Sequence, residues 1–375
     1  MKIINELLGI NEVGQFNSEV LYLTTDAIVI ESLNLSIQYD YNKGDCIRFY
    51  EVIENELLVY VGCEYNSSYK VIDSKGDIKA ERKLTFIGKV GSVILESDSN
   101  HNIHVSEYRN NILEFRKTVL YSQVKYFDSD HFILCQFGDS TSIDIYSFST
   151  MGICAHLNLL AETDFKSDKN RSDFYLKKII GISGSYLIFI INSGQLMIYD
   201  FNNGGLCKLV TQENELEINS ESVPQWSTSM KLALNIDHKN NLLYGLNGKW
   251  YYECDLTSEP FACQTWSIQS ELVINGVEWI DKSVRCHPSD NCLMFLVNRI
   301  TNNPNNVGIF NRDKRKVVEK YSVGPNSNNS DNMFTYDHPP ARMFISFNNS
   351  TYIHFNTKNR PLFMLKHENE KGNLS

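Results

Sequence analysis

The chain has 375 residues, 42% of them hydrophobic and 21% charged, a composition that buries a core and excludes a disordered polypeptide. Its 45 acidic and 35 basic residues leave a net charge of −10. That excludes sequence-independent binding to nucleic acid, which needs a positive surface to release counterions.

From the N-terminus, Met1–Ile10 lacks the unbroken apolar core of a signal peptide, because Asn5 and Glu6 interrupt it. No later run approaches the roughly 18 apolar residues of a membrane span. Nine cysteines, an odd number, lie mostly inside apolar runs such as Leu134-Cys135-Gln136, and read as reduced, buried thiols of a cytoplasmic protein.

A unit then recurs: an apolar strand ending near Asp or Asn, a turn, and another apolar strand. Ile37–Asp40 leads through Asn42–Asp45 into Cys46–Tyr50, and Tyr69–Asp73 leads through Ser74–Asp77 into Ile78. His104–Tyr108 precedes Ile112–Phe115, and Ile143–Tyr146 precedes Gly152–Ala155. The clearest instance is Leu187–Val210, whose apolar runs are parted by Asn192-Ser193-Gly194 and Asn202-Asn203-Gly204-Gly205. Asn and Gly supply the positive φ angles of tight hairpins, so this stretch predicts a three-stranded meander. Trp250–Asp255, Val307–Asn311 and Thr351–Asn356 repeat the mark, the last turning into Leu362–Leu365. A further apolar strand precedes most marks: Leu57–Val61, Ser92–Leu95, Phe132–Cys135, Leu242–Tyr244, Cys292–Val297 and Met343–Phe347. The best helical candidate, Asn158–Asp164, is too short to organise a fold. The marks step by roughly 45 residues, the size of one four-stranded propeller blade.

In this order of elements, residues 20–366 resemble the β-propeller superfamily in a WD40-like form. The stretch from Gly194 to Gly204 is similar to the closing half of a WD repeat, with Tyr199-Asp200 where Trp-Asp is usual. The regular Gly-His dipeptide is missing. The resemblance implies a single all-β propeller of four-stranded blades over residues 1–366, closed by the N- and C-terminal strands in one blade. Residues 367–375 would form a tail. Seven blades is the expected number, and the eight hairpin marks keep eight open.

Motifs for chemistry are incomplete. Asp98–Asn102 imitates a calcium loop, but Ile103 stands where Gly is needed and Arg109 where Glu is needed, which leaves a plain turn. His101 and His104, three apart on a strand, point to opposite faces. Cys286, His287 and Cys292, like Cys254 and Cys263, lack any Cys-x-x-Cys pair and read as buried thiols. Gly181–Ser185 misses the last Gly of a nucleophile elbow. Asp128, Asp130 and His131, and likewise Asp237 and His238, read as loop polarity, and Arg312–Lys316 reads as a solvated hairpin tip.

No catalytic residue, metal ligand or cofactor site is therefore assigned. The expected function is a non-catalytic protein–protein interaction module. It would be either a cytoplasmic inhibitor of the immunity type that shields a basic toxin or nuclease, or an assembly scaffold. The alternative is a metal-dependent propeller hydrolase or lyase acting on a small molecule or glycan. The expected partner is another protein, basic in character, with no nucleic acid and no membrane. Its anchors would be Trp226, Trp250, Trp266 and Trp279, with loops 212–226 and 301–306, since Trp is enriched at interface hot spots.

Overall fold

Apolar runs and turn residues alternate along the chain, and in the computed structural model they yield strands almost throughout. The structure describes residues 2–7, 10–16, 19–30, 33–53, 56–63, 67–109, 112–162, 170–192, 195–207, 209–212, 233–247, 250–257, 259–274, 282–285, 291–297, 305–323, 342–345, 350–354 and 362–366. Their strands form eight sheets.

After β1 (Lys2–Leu7), consecutive strands build one sheet after another. The first sheet holds β2 (Glu12–Phe16), β3 (Glu19–Leu23), β4 (Ala27–Ile30) and β5 (Leu35–Gln38). The second holds β6 (Asp45–Ile53), β7 (Glu56–Cys63), β8 (Ser68–Asp73) and β9 (Ile78–Arg82). The third is β10 (Thr85–Val90), β11 (Val93–Ser97), β12 (Ile103–Arg109) and β13 (Ile112–Val119). The fourth is β14 (Ser122–Phe127), β15 (His131–Gln136), β16 (Asp139–Ser147) and β17 (Ile153–Asn158), followed by the short helix α1 (Leu159–Glu162). Three described strands make the fifth, β18 (Leu176–Ser183), β19 (Tyr186–Ile191) and β20 (Leu196–Asp200).

Strand β21 (Leu209–Gln212) then joins the sixth sheet ahead of its own strands, β22 (Ala233–Asp237), β23 (Leu242–Asn247), β24 (Trp250–Asp255) and β25 (Phe261–Ser267). Helix α2 (Gln269–Ile274) leads to the seventh, β26 (Lys282–Arg285), β27 (Cys292–Val297), β28 (Asn305–Asn311) and β29 (Lys316–Val323). The eighth combines β30 (Arg342–Ile345), β31 (Ser350–His354) and β32 (Leu362–Lys366) with β1, which pairs antiparallel on β32.

Two predicted hairpins come out differently. The stretch from Ile37 to Tyr50 is a crossing between sheets, because β5 ends the first and β6 begins the second. The Leu187–Val210 meander keeps its first two strands as β19 and β20. Its third touches β20 only at the Tyr199–Leu206 bridge, before β21 leaves to pair in parallel with β25. Local turn chemistry starts the hairpin, and tertiary pairing decides where its last strand goes.

The core is a succession of apolar layers, each shared by two sheets consecutive in the chain. Leu21, Leu23 and Ile28 of the first sheet meet Leu57, Val59 and Ile72 of the second. Val93, Leu95 and Val105 of the third meet Phe132, Leu134 and Tyr146 of the fourth. Ile133, Ile143 and Ile145 on the fourth sheet's other face meet Leu187, Phe189 and Met197 of the fifth. Ile188 and Ile198 pack on Leu243 and Phe261, and Tyr244 and Tyr251 on Phe295 and Phe310. Inner strands therefore read as unbroken apolar runs, since both faces are covered, and each such side chain contributes about 1.5–3 kcal/mol. Close approach also needs gaps: a β-carbon on Gly88 would run into the Phe127 ring of the next sheet.

Polar side chains enter these layers in satisfied groups. Glu96 of β11 is 0% exposed and receives Arg82 of β9 through two nitrogens, both at 2.8 Å, and the Tyr69 hydroxyl at 2.8 Å. Lys89 on β10 pairs with Glu51 on β6, which also accepts the Tyr60 hydroxyl at 2.5 Å. Arg312, expected in solvent, is only 8% exposed: its guanidinium lies 4.0 Å from the Tyr244 ring and donates to the Tyr251 hydroxyl. A planar cation stacks on aromatic rings where a lysine would need water, which is why this member of the basic run leaves the surface. Cys254 and Cys263, expected as thiols, lie directly opposite each other on β24 and β25 and are joined as a disulfide. Cys135 and Cys207 fit the thiol reading, with burial pushing them up to about 12 and about 11.

Candidate functional site

Antiparallel strands bring alternate turns to the same end of a sheet. In the third and fourth sheets the turns after β10, β12, β14 and β16 therefore share one end, and those after β11, β13 and β15 share the other. At the first end a cleft of about 740 Å³ opens between the two sheets. Its lining combines apolar Val90, Val93, Phe148 and Met151 with Glu107, Arg116, Asp130, His131 and four serines.

Charge is set out unevenly there. Glu107 on β12 stands directly opposite Glu114 on β13, a like-charge pair that costs stability unless a cation joins it. Arg116 supplies the cation. The register of β12 and β13 slips at this point, Val105 facing Lys117 and Ser106 facing Phe115, so Arg116 is the extra residue of a bulge. Its guanidinium reaches Glu107 at 3.0 Å and Glu114 at 2.7 Å, and Ser92 adds a hydroxyl to Glu107 at 3.3 Å. One guanidinium thus serves two carboxylates.

Asp130 sits across the cleft in the turn before β15. It accepts the Ser129 hydroxyl at 2.9 Å and has no ion pair among the described residues. Asp128 shapes that turn by accepting the backbone N–H of Asp130 and of His131, both at 2.8 Å, and lies 3.7 Å from the His131 ring. The ring is also edge-on to Phe201, at 5.4 Å. Lys117, behind the cleft, is committed to the Met151 carbonyl and the Tyr146 ring. The lining therefore offers carboxylate oxygens and hydroxyls to a guest, while its cation is already engaged.

Of the four tryptophans predicted as anchors, Trp226 and Trp279 lie outside the described residues, as do positions 213–226 and 301–304 of the predicted loops. Trp250 and Trp266 are half-buried on neighbouring strands. Trp250 pairs with Ser267 and Trp266 with Tyr251, so the two indoles point to opposite faces of the sixth sheet. Trp266 stacks on Tyr251 at 5.4 Å and carries the Arg315 guanidinium 3.8 Å above its ring. The structure does not bring these two into one anchor, and neither lines the cleft.

Asp98–Asn102 is a turn, with Asp98 accepting from Asn100, Asn102 and His104, and Asp237 likewise caps its own turn through Asn240. Among the described residues no group of three His, Cys, Asp or Glu side chains converges as a metal site. Cys286 and His287 are outside the described residues. Of the Asp128–Asp130–His131 cluster, read from sequence as loop polarity, Asp130 and His131 line the cleft, and Asp128 holds their turn from behind. Glu107 and Arg116 escaped the sequence reading. Their signal was a Glu on each of two strands at facing positions, legible only once the register of β12 on β13 is known.

Solved structures resemble the chain over most of its length. Sqt1 of Saccharomyces cerevisiae superposes with a TM-score of 0.56 at 10% identity, covering 97% of each chain. BamB from Moraxella catarrhalis gives 0.52 at 9% identity, over 97% of this chain and 99% of that one. Kluyveromyces lactis Hsv2 with loop 6CD replaced by a Gly-Ser linker gives 0.51 at 10% identity, over 84% of this chain and 100% of that one. These are β-propeller proteins, and at such identity the likeness is one of fold. No protein-family model matches the chain, and no curated protein sequence does.

Proposed function

We propose that the chain is a single WD40-like β-propeller of eight blades over residues 1–366, acting as a protein-interaction module that holds a basic segment of a partner protein. Eight sheets in chain order support the blade number, with apolar layers shared between consecutive sheets from the first to the seventh. The pairing of β1 with β32 supports closure of the ring by its two terminal strands. Closure matters physically because an open ring leaves unpaired strand edges.

The observation that carries the binding reading is the charge of the cleft: Glu107 and Asp130 face a space whose one guanidinium is shared with Glu114. A lysine or arginine side chain entering it would meet carboxylates and serine hydroxyls, with its aliphatic stem against Val93, Phe148 and Met151. The chain's net charge of −10 would speed the encounter with a basic partner at low salt. Inhibition of that partner and assembly with it are both compatible with one such grip.

The test is binding of a deca-lysine peptide to the wild type and to Glu107→Gln/Asp130→Asn, at low and at high salt. The expected result is about tenfold weaker binding by the double variant, near 1.4 kcal/mol, narrowing as salt screens the pairs. Equal affinity for both proteins, or affinity that ignores salt, would sink the reading.

A further inference from the structure

The opposite end of the same two sheets carries a different surface, and no part of the cleft reading is needed to see it. Three turns meet there: Asp98–Asn102, Leu120–Tyr121 and Phe137–Gly138. The His101 ring lies flat on Phe137, with centroids 3.6 Å apart and planes 10° from parallel. Tyr121 stands edge-on to both, 6.3 Å from His101 and 5.6 Å from Phe137. Beside them Leu120 is 72% exposed and Tyr121 51% exposed.

The backbone at Tyr121 is strained. Its φ of 46° lies in the left-handed region that a bulky side chain rarely enters, whereas His101, at φ 61°, is of a residue type that enters that region more readily. Three hydrogen bonds pin the arrangement. Ser122 N–H donates to the His101 carbonyl at 2.7 Å, Phe137 N–H to the Tyr121 carbonyl at 3.0 Å, and Tyr121 N–H to Asn102 Oδ1 at 3.2 Å. A turn selected for stability alone would place Gly or Asn at Tyr121 and a polar residue at Leu120. The rings are therefore kept at the surface against the local preference of the chain.

The charges nearby indicate what would cover them. Asp98 accepts from the backbone of Asn100 and Asn102, from the Asn102 amide at 2.9 Å, and faces His104 Nε2 at 3.0 Å. Asp139 is taken by Thr141 at 2.6 Å and by Arg171 at 2.9 Å. Both carboxylates are engaged within the protein, so among the described residues neither leaves an unmatched charge beside the shelf. We propose that His101, Leu120, Tyr121 and Phe137 form a second docking surface, for an uncharged segment of a partner polypeptide that lays leucine or proline side chains on the rings. Rigid aromatic rings suit such a role because little side-chain entropy is lost on binding.

The experiment is selection of random twelve-residue peptides displayed on phage against the wild type. Synthetic copies of the winners are then measured on wild type, Asp130→Asn and Leu120→Ser/Tyr121→Asn. Asparagine keeps the left-handed turn while removing the ring. The expected winners are rich in leucine or proline, without net positive charge. They should bind wild type and Asp130→Asn alike, and the double variant about tenfold more weakly, as for loss of a hot-spot aromatic. The double variant should melt at or above the wild-type temperature, since strain is relieved. The proposal is overturned if no peptide prefers the wild type to the double variant, or if the winners are basic and respond to Asp130→Asn instead. A double variant that melts well below the wild type also overturns it, by making the rings a structural plug.

Discussion

One apolar layer, from Val93 to Tyr146, joins the third and fourth sheets, yet the two ends of that layer present unlike surfaces. At one end the hairpin of β12 and β13 sets Glu107 against Glu114, and the turn before β15 adds Asp130, giving a polar cleft. At the other end the carboxylates of Asp98 and Asp139 are consumed within the protein, and the rings of His101, Tyr121 and Phe137 stand outside. The same packing supports both, so the sheets set where a surface lies and the turn residues set what it can hold. That separation is why such a scaffold says little about a partner until its turns are read one by one.

Breaking the shared layer should have the largest effect and should not distinguish the ends. Phe132 is fully buried, stacked on Tyr146 and tilted against Phe148, both at 4.9 Å. Phe132→Ala is expected to cost about 3–5 kcal/mol, measured by urea unfolding, and to weaken binding at both ends. Arg82→Leu should cost a similar amount, about 3–5 kcal/mol, because Glu96 would stay buried without its cation. Since that pair joins the second and third sheets, binding at either end should survive wherever the variant remains folded. A Phe132→Ala protein that loses only one of the two surfaces would show that the ends do not share their support.

Much of the strand order was legible in the sequence. Runs such as Leu57–Val61 and Phe132–Cys135 are continuous because both faces are covered, and they fall inside β7 and β15. The marks after Asp73, Arg109, Ser147, Asp255 and Asn311 are hairpins between the last two strands of their sheets. What failed were choices that turn chemistry does not make, such as β21 crossing to β25 or the link from β5 to β6. Helix α2 also escaped, since Gln269–Ile274 is too short for a helical period to show. The site was less legible than the fold. Asp128, Asp130 and His131 stood out as a cluster, but Arg116 acts through a bulge whose register depends on pairing. Tyr121 draws its interest from a backbone angle that its residue type disfavours, which no residue pattern announces.

A smaller effect sharpens the comparison at the cleft end. Arg116→Met removes the guanidinium shared by Glu107 and Glu114 and leaves two facing carboxylates, of side chains 18% and 46% exposed. Exposed pairs of this kind contribute about 0.2–1 kcal/mol, so stability should fall by no more than that. Binding should move the other way. With its competitor gone, the deca-lysine peptide is expected to bind a few-fold more tightly to Arg116→Met, with a steeper loss on raising salt, on the order of one screened pair. Weaker binding would mean that Arg116 does not compete with the peptide but holds Glu107 and Glu114 in the arrangement the peptide needs.

The smallest expected effect is a pH dependence carried by the shelf end. Burial pushes the Asp98 carboxyl up, but the hydrogen bonds of Asn102, His104 and Asn100 outweigh it and hold the group well below the usual carboxylate range. Asp139 is lowered as well, first by the Thr141 hydroxyl and N–H and then by Arg171. A carboxyl whose folded value lies below its unfolded value of about 3.9 stabilises the protein fully above that pH. The contribution is lost as the pH falls from there through the folded value, where the native state too takes up the proton. Urea midpoints should therefore drop between pH 6 and pH 3. In Asp98→Asn the midpoint should be lower at pH 6 and the drop on acidification smaller, because the group that titrated is gone. The Asp98 turn also carries His101, so the same acidification should loosen the shelf before the cleft. Aromatic proton shifts of His101 and Tyr121, followed by NMR against those of Phe148, would show this order. If the cleft residue moves first, or if Asp98→Asn keeps the full acid loss, Asp98 is not what secures that end.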